Sequence, residues 1–129
     1  MYQIAICDDE SRILNNIYTK VRTCFEEQEI QAEYFCTEDS KTMMEYLRTK
    51  PVDVLFLDID MPDMNGVEVL DMIRNELHLE TPIIMLTSNN DKNHVVECFK
   101  HGANDYVVKR IEGEYCYLEN IENGDEVFI

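Results

Sequence analysis

Short apolar runs alternate with amphipathic helical stretches along most of the chain, and that alternation leaves few folds open. Tyr2 to Cys7 is an apolar run of strand length. From Ser11 to Gln28, Ile13, Leu14, Ile17, Tyr18, Val21, Cys24 and Phe25 recur at helical spacing and predict a helix with one buried face. Ile30 to Cys36 is rich in β-formers and predicts a second strand. Asp39 or Ser40 can cap a helix carrying Met43, Met44 and Leu47, which Pro51 ends. Val52 to Asp58 is apolar on both faces, as a central strand is. After the Pro62 and Asn65-Gly66 punctuation, Val67, Leu70, Ile73 and Leu77 predict another helix. Residues 82–87 predict a fourth strand. Asp91 opens a helix through Val95, Cys98 and Phe99, closed by Gly102 as a left-handed cap. Residues 104–108 predict a fifth, short strand. Strands interleaved with helices imply an α/β protein: a doubly wound, five-stranded parallel sheet with helices on both faces. Right-handed crossovers leave few strand orders, of which 2-1-3-4-5 is common at this size.

The end of the chain is ambiguous. Ile111, Tyr115, Leu118 and Ile121 fit a fifth helix, and that reading is preferred. Tyr115 to Leu118 and Val127 to Ile129 also flank Asn123-Gly124, the pattern of a hairpin. One domain is expected over residues 1–122, with 123–129 a tail or the start of a linker to an output domain.

With 129 residues and 45% hydrophobic content, the chain can bury a core of its own. Its formal charge of −16 argues against direct nucleic-acid binding, which draws on Lys and Arg to neutralise phosphates. No apolar run reaches the 18 or so residues of a membrane span. The five cysteines are odd in number and show no C-x-x-C spacing, as in proteins of a reducing compartment, so a cytoplasmic location is expected.

Polar residues at the ends of four strands carry the chemistry: Asp8-Asp9, Asp58, Thr87 and Lys109. In an open parallel sheet, ligands bind beyond the carboxyl ends of the strands, so these groups should converge. Clustered carboxylates need a cation, and Mg²⁺ takes oxygen ligands from one or two carboxylates while keeping several waters. Asp9 and Asp58, with Asp8 nearby and the backbone carbonyl of Asp60, suit it. A carboxylate can itself attack a phosphoryl group to give an acyl phosphate, with Lys109 and Thr87 placed for the phosphoryl oxygens. Taken singly, Asp8-Asp9 also reads as a helix cap, Lys109 as a surface lysine and Thr87 as a strand-end residue.

Ile4-Ala5-Ile6-Cys7-Asp8-Asp9-Glu10, Leu57 to Gly66, Met85-Leu86-Thr87-Ser88 and Gly102 to Lys109 resemble the receiver domain of two-component response regulators, a flavodoxin-like, CheY-like fold. The likeness runs from about residue 2 to 110. It implies that Asp58 is the phosphoacceptor, receiving a phosphoryl group from a sensor histidine kinase. It further implies Mg²⁺ held by Asp8, Asp9, Asp58 and the Asp60 carbonyl, and phosphoryl contacts from Thr87 and Lys109. Tyr106 matches the aromatic switch residue that turns inward as Thr87 moves. Ser88 matches the small residue that keeps the site open, and Asp60 and Asn89 match positions that tune the phosphoryl lifetime. Self-phosphotransfer and slow autodephosphorylation are implied, not enzymatic turnover. A homodimer through the fourth-helix, fifth-strand and fifth-helix face and a transcriptional output, of LytTR type from the flavour of the motifs, are also expected.

Two departures stand out. Arg110 follows Lys109 where the family has a cis-proline; a non-proline cis bond costs about 3–4 kcal/mol, so a trans bond is expected. Glu112-Gly113-Glu114 is a poor helix opening. Other readings fare worse. Asp58-Ile59-Asp60 resembles the Asp-x-Asp of haloacid-dehalogenase-type phosphohydrolases, but it lies on the third strand and continues with Met61-Pro62. A flavodoxin-like electron carrier would not place Asp8-Asp9-Glu10 against a flavin phosphate. A degenerate receiver that binds partners without phosphorylation is the closer alternative, against which the intact acidic set argues.

Overall fold

The computed structural model describes residues 1–61, 66–87, 92–112, 115–120 and 125–128. Its elements follow the predicted alternation. They are β1 (Tyr2–Cys7), α1 (Ser11–Glu27), β2 (Ala32–Thr37), α2 (Ser40–Thr49), β3 (Val54–Asp58), α3 (Gly66–Asn75), β4 (Ile83–Thr87), α4 (Lys92–Lys100) and β5 (Asp105–Glu112). Five parallel strands run in the order β2-β1-β3-β4-β5, as expected.

Each face of the sheet buries the side chains that alternate toward it. On one face Ile4, Ile6 and Leu86 meet Ile13 and Ile17 of α1. On the other, Ala5, Leu55, Leu57, Ile83 and Met85 meet Met43 and Met44 of α2, Leu70 and Ile73 of α3, and Cys98 of α4. Such burial at about 25 cal/mol per Å² of apolar surface is the main force holding the layers together. Asp39 caps α2: its Oδ1 accepts from the Lys41 amide at 3.2 Å. Gly102 closes α4 at φ +99°, the left-handed cap the sequence predicts.

The end of the chain corrects the expectation of a fifth helix. β5 continues through Glu112 and pairs antiparallel with β6 (Tyr115–Asn120), which pairs antiparallel with β7 (Asp125–Phe128). Among the described residues the sheet thus has seven strands. Two features of the sequence favour this outcome over the helical spacing. Gly113 is costly inside a helix, and the aromatic and β-branched run around Asn123-Gly124 suits paired strands. Among the described residues, the segment expected to give the fifth helix of the dimer face is strand instead. Among the described residues, no helix is long and apolar enough to cross a membrane.

Candidate phosphoryl-acceptor site

The strand register brings the predicted residues to one end of the sheet. Asp58 is the last residue of β3, and Thr87 is the last of β4. Thr87 pairs with Val108, so Lys109 lies just beyond the end of β4 although β5 itself runs on. Asp8 follows β1, with Asp9 next to it.

Lys109 is the hub. Its Nζ lies 2.8 Å from Asp8 Oδ2 and 2.9 Å from Asp58 Oδ1, with all three side chains nearly or wholly buried. Arg110 in place of proline does not keep Lys109 from the site, and among the described residues no peptide bond is cis. The Glu10 amide donates to Asp8 Oδ1 at 3.0 Å. Asp8 is thus aimed into the site, and the helix-cap position of α1 falls to Glu10, whose side chain makes no capping bond.

The Asp60 amide donates to Asp58 Oδ1 at 3.1 Å. Asp58 Oδ1 is therefore held twice, whereas Oδ2 is buried with no hydrogen-bond partner. Thr87, wholly buried, donates its hydroxyl to Asp60 Oδ2 at 3.4 Å. That contact ties the ends of β3 and β4 together and was not read from the sequence. Tyr106 is buried and belongs to the same core cluster as Val108.

The charges do not balance. Burial pushes the carboxyl pKa of Asp8 up; Lys109 opposes this and the neighbouring Asp58 adds to it. Burial also raises Asp58, again against the pull of Lys109. For Lys109, burial alone would lower the pKa, but Asp58 and Asp8 outweigh it and the net shift is upward. One ammonium thus stays charged among more carboxylates than it can satisfy. Ligand oxygens of Asp8, Asp9 and Asp58 lie within 4.8 Å of one another. The unpartnered Asp58 Oδ2 among them fits a divalent cation with oxygen ligands.

Gly66 ends the Leu57–Gly66 motif and reads in sequence as turn punctuation; its packing role does not show there. The first residue of α3, it packs against the main chain of Asp58 and Ile59. A Cβ there would sit 2.5 Å from the Asp58 carbonyl oxygen and 2.6 Å from Ile59 Cα. The Gly66 amide donates to the Ile59 carbonyl at 2.8 Å. Its signal in sequence is a glycine eight residues after Asp58, whose packing role is legible only once α3 is known to cross there. Ser88 and Asn89 lie outside the described residues.

The sequence profile of the response regulator receiver domain matches residues 4–116. The chain belongs to the response regulator receiver family. Among curated relatives, this receiver is 32% identical to the two-component response regulator ARR10 of Arabidopsis thaliana over 121 residues, 92% of the chain and 20% of that protein. It is 35% identical to the transcriptional regulatory protein SrrA of Staphylococcus aureus over 109 residues, 83% of the chain and 41% of that protein. The receiver therefore spans well under half the length of either. The BeF3-activated DrrB receiver domain superposes with a TM-score of 0.69 at 30% identity, covering 87% of each chain.

Proposed function

We propose that Asp58 is the phosphoacceptor of this receiver and that a sensor histidine kinase is its donor. The observation that carries the proposal is the state of the Asp58 carboxylate: one oxygen is fixed by Lys109 and the Asp60 amide, and the other is buried and unpartnered. A carboxylate oxygen attacks phosphorus, the bond from phosphorus to the donor histidine nitrogen breaks with its electron pair on the imidazole, and an acyl phosphate forms. Lys109 supplies positive charge to the equatorial oxygens, and the Thr87 hydroxyl donates to one of them once it leaves Asp60. Asp8, Asp9, Asp58 and the Asp60 carbonyl would hold Mg²⁺. Bound there, the ion would neutralise the carboxylates and the charge building on the phosphoryl oxygens.

Release of Thr87 from Asp60 links phosphorylation to the Tyr106 region, the two-state element whose balance the phosphoryl group would bias. Asp60 and Asn89 would set how long the acyl phosphate lasts. Turnover is limited to self-phosphotransfer and slow autodephosphorylation in the cytoplasm. A transcriptional output is supported by the likeness to SrrA, a transcriptional regulatory protein.

The test is intact-mass spectrometry after incubation with acetyl phosphate, with and without Mg²⁺, beside Asp58→Ala. A single Mg²⁺-dependent phosphoryl adduct, absent from the variant, is expected. An unmodified wild-type chain would leave a phosphorylation-independent interaction module as the reading.

A further inference from the structure

Away from the acidic site, one histidine bridges two helices. His101 follows the last turn of α4, and its ring is one-third exposed. Nδ1 lies 3.1 Å from Asp71 Oδ1 on α3, and Nε2 lies 3.1 Å from Glu97 Oε1 on α4. A carboxylate only accepts hydrogen bonds, and a neutral imidazole carries a single N–H. Both contacts are therefore hydrogen bonds only when the ring is the imidazolium. Neutral His101 must give up one of the two acids.

We propose that His101 is a proton-operated clasp between α3 and α4, closed as the imidazolium and released at the carboxyl end of α4 as pH rises. The surroundings favour this position for such a device. Among the described residues, the following charged groups lie on the two helices beside the ring. From α3 comes Asp71, whose Oδ1 is also held by Asn75 Nδ2 at 2.7 Å. Arg74, one turn from the clasp on α3, directs its Nε to the Gly102 carbonyl at 3.0 Å. From α4 come Glu97 and the exposed Lys100 that precedes His101. The hydrogen bonds to Asp71 and Glu97 hold the ring's pKa above its ordinary value, so it carries its charge toward neutral pH.

The clasp sits where movement would propagate. Three amides close the end of α4: His101 to the Glu97 carbonyl at 3.2 Å, Gly102 to Phe99 at 3.1 Å and Ala103 to Cys98 at 3.1 Å. Immediately beyond them β5 begins, carrying Tyr106 and Lys109. A change at His101 is expected to be felt first in these capping bonds. The clasp rests on its own geometry and stands or falls apart from the phosphoryl chemistry.

The experiment is an NMR titration of the imidazole ring in the full chain, assigned with His101→Gln and paired with amide hydrogen exchange. His101 should titrate above the ordinary value of about 6.5. Asp71→Asn and Glu97→Gln, both at solvent-accessible acids, should each lower it; every unit of lowering is about a tenfold loss in preference for the charged ring. Protection at His101, Gly102 and Ala103, corrected for intrinsic base catalysis, should fall about two- to fivefold across that transition, the range for an exposed ion pair. In His101→Gln it should be flat. Titration at or below the ordinary value, a midpoint unmoved in both acid variants, or protection that ignores the transition in the wild-type chain would each overturn the proposal.

Discussion

Replacing Gly66 with alanine tests whether the acceptor is held by backbone packing. The added Cβ would lie 2.5 Å from the Asp58 carbonyl oxygen and 2.6 Å from Ile59 Cα. Both are main-chain atoms, so no side-chain rotation relieves the overlap. Comfortable contacts between such atoms are about 3.5–4.0 Å, so α3 and the end of β3 must separate by roughly 1 Å. Overpacking of this kind costs about 1–3 kcal/mol. At this chain length each kcal/mol lowers Tm by about 2–8 °C. The displacement falls on Asp58, the proposed acceptor, where about 1 Å of misplacement slows transfer on the order of 100-fold. The assay is the rate of phosphoryl adduct formation from acetyl phosphate by intact mass, beside a thermal melt. Gly102→Ala is the control. Its φ of +99° makes alanine costly by about 1–2 kcal/mol, yet the nearest neighbour is the flexible Arg74 side chain, 3.0 Å away and remote from Asp58. It should melt earlier and react at close to the wild-type rate. Wild-type rate and Tm in Gly66→Ala would refute the reasoning.

Further outcomes follow from the same geometry. Without Mg²⁺, Asp58→Asn should melt higher than the wild-type chain at neutral pH. A carboxylate whose folded pKa is raised carries a penalty that is absent below the ordinary carboxylate range and grows as pH rises through the raised value, and the amide removes it. Mg²⁺ at ten times its Kd should stabilise the wild-type chain by about 1.4 kcal/mol and the Asn variant by much less, as read by calorimetry. Lys109→Met should lower metal-free stability by up to about 3–5 kcal/mol, because Asp8 and Asp58 lose their buried cation; a denaturant melt measures it. Burial pushes the Cys7 thiol up to about 12 and, with Glu97 adding to it, Cys98 up to about 11, so native alkylation at pH 8 should modify the exposed Cys24 and Cys36 before Cys7 and Cys98, as a peptide map would report.

The parallel core was legible because β1, β3 and β4 are short apolar runs bounded by turn or helix signals, and β2 and the start of β5 are rich in β-formers. The polar residues after those runs announced the site, because nothing in strand packing calls for Asp58 at the end of Val54-Leu55-Phe56-Leu57. The segment after Arg110 was not legible, since Ile111, Tyr115, Leu118 and Ile121 keep helical spacing while Asn123-Gly124 marks a hairpin. Both patterns occupy the same residues, and pairing with β5 decides between them. Gly66, Arg74 and His101 were hidden for another reason. Gly66 matters through a close approach to β3, and Arg74 and His101 through partners about thirty residues away in sequence: Asn104 Oδ1 at 2.8 Å and Asp71 Oδ1 at 3.1 Å. Such contacts exist only once α3, α4 and β5 are packed. Thr87 was placed by its strand end, but its bond to Asp60 depends on β3 and β4 ending side by side.

The most direct measurement is localisation of the phosphoryl group by tandem mass spectrometry, after acetyl phosphate and Mg²⁺ treatment and borohydride reduction of the acyl phosphate. The account predicts reduction to homoserine at position 58 alone, with Asp8, Asp9 and Asp60 intact. Modification at any of those three instead, or an adduct that forms equally in Asp58→Ala, would contradict it.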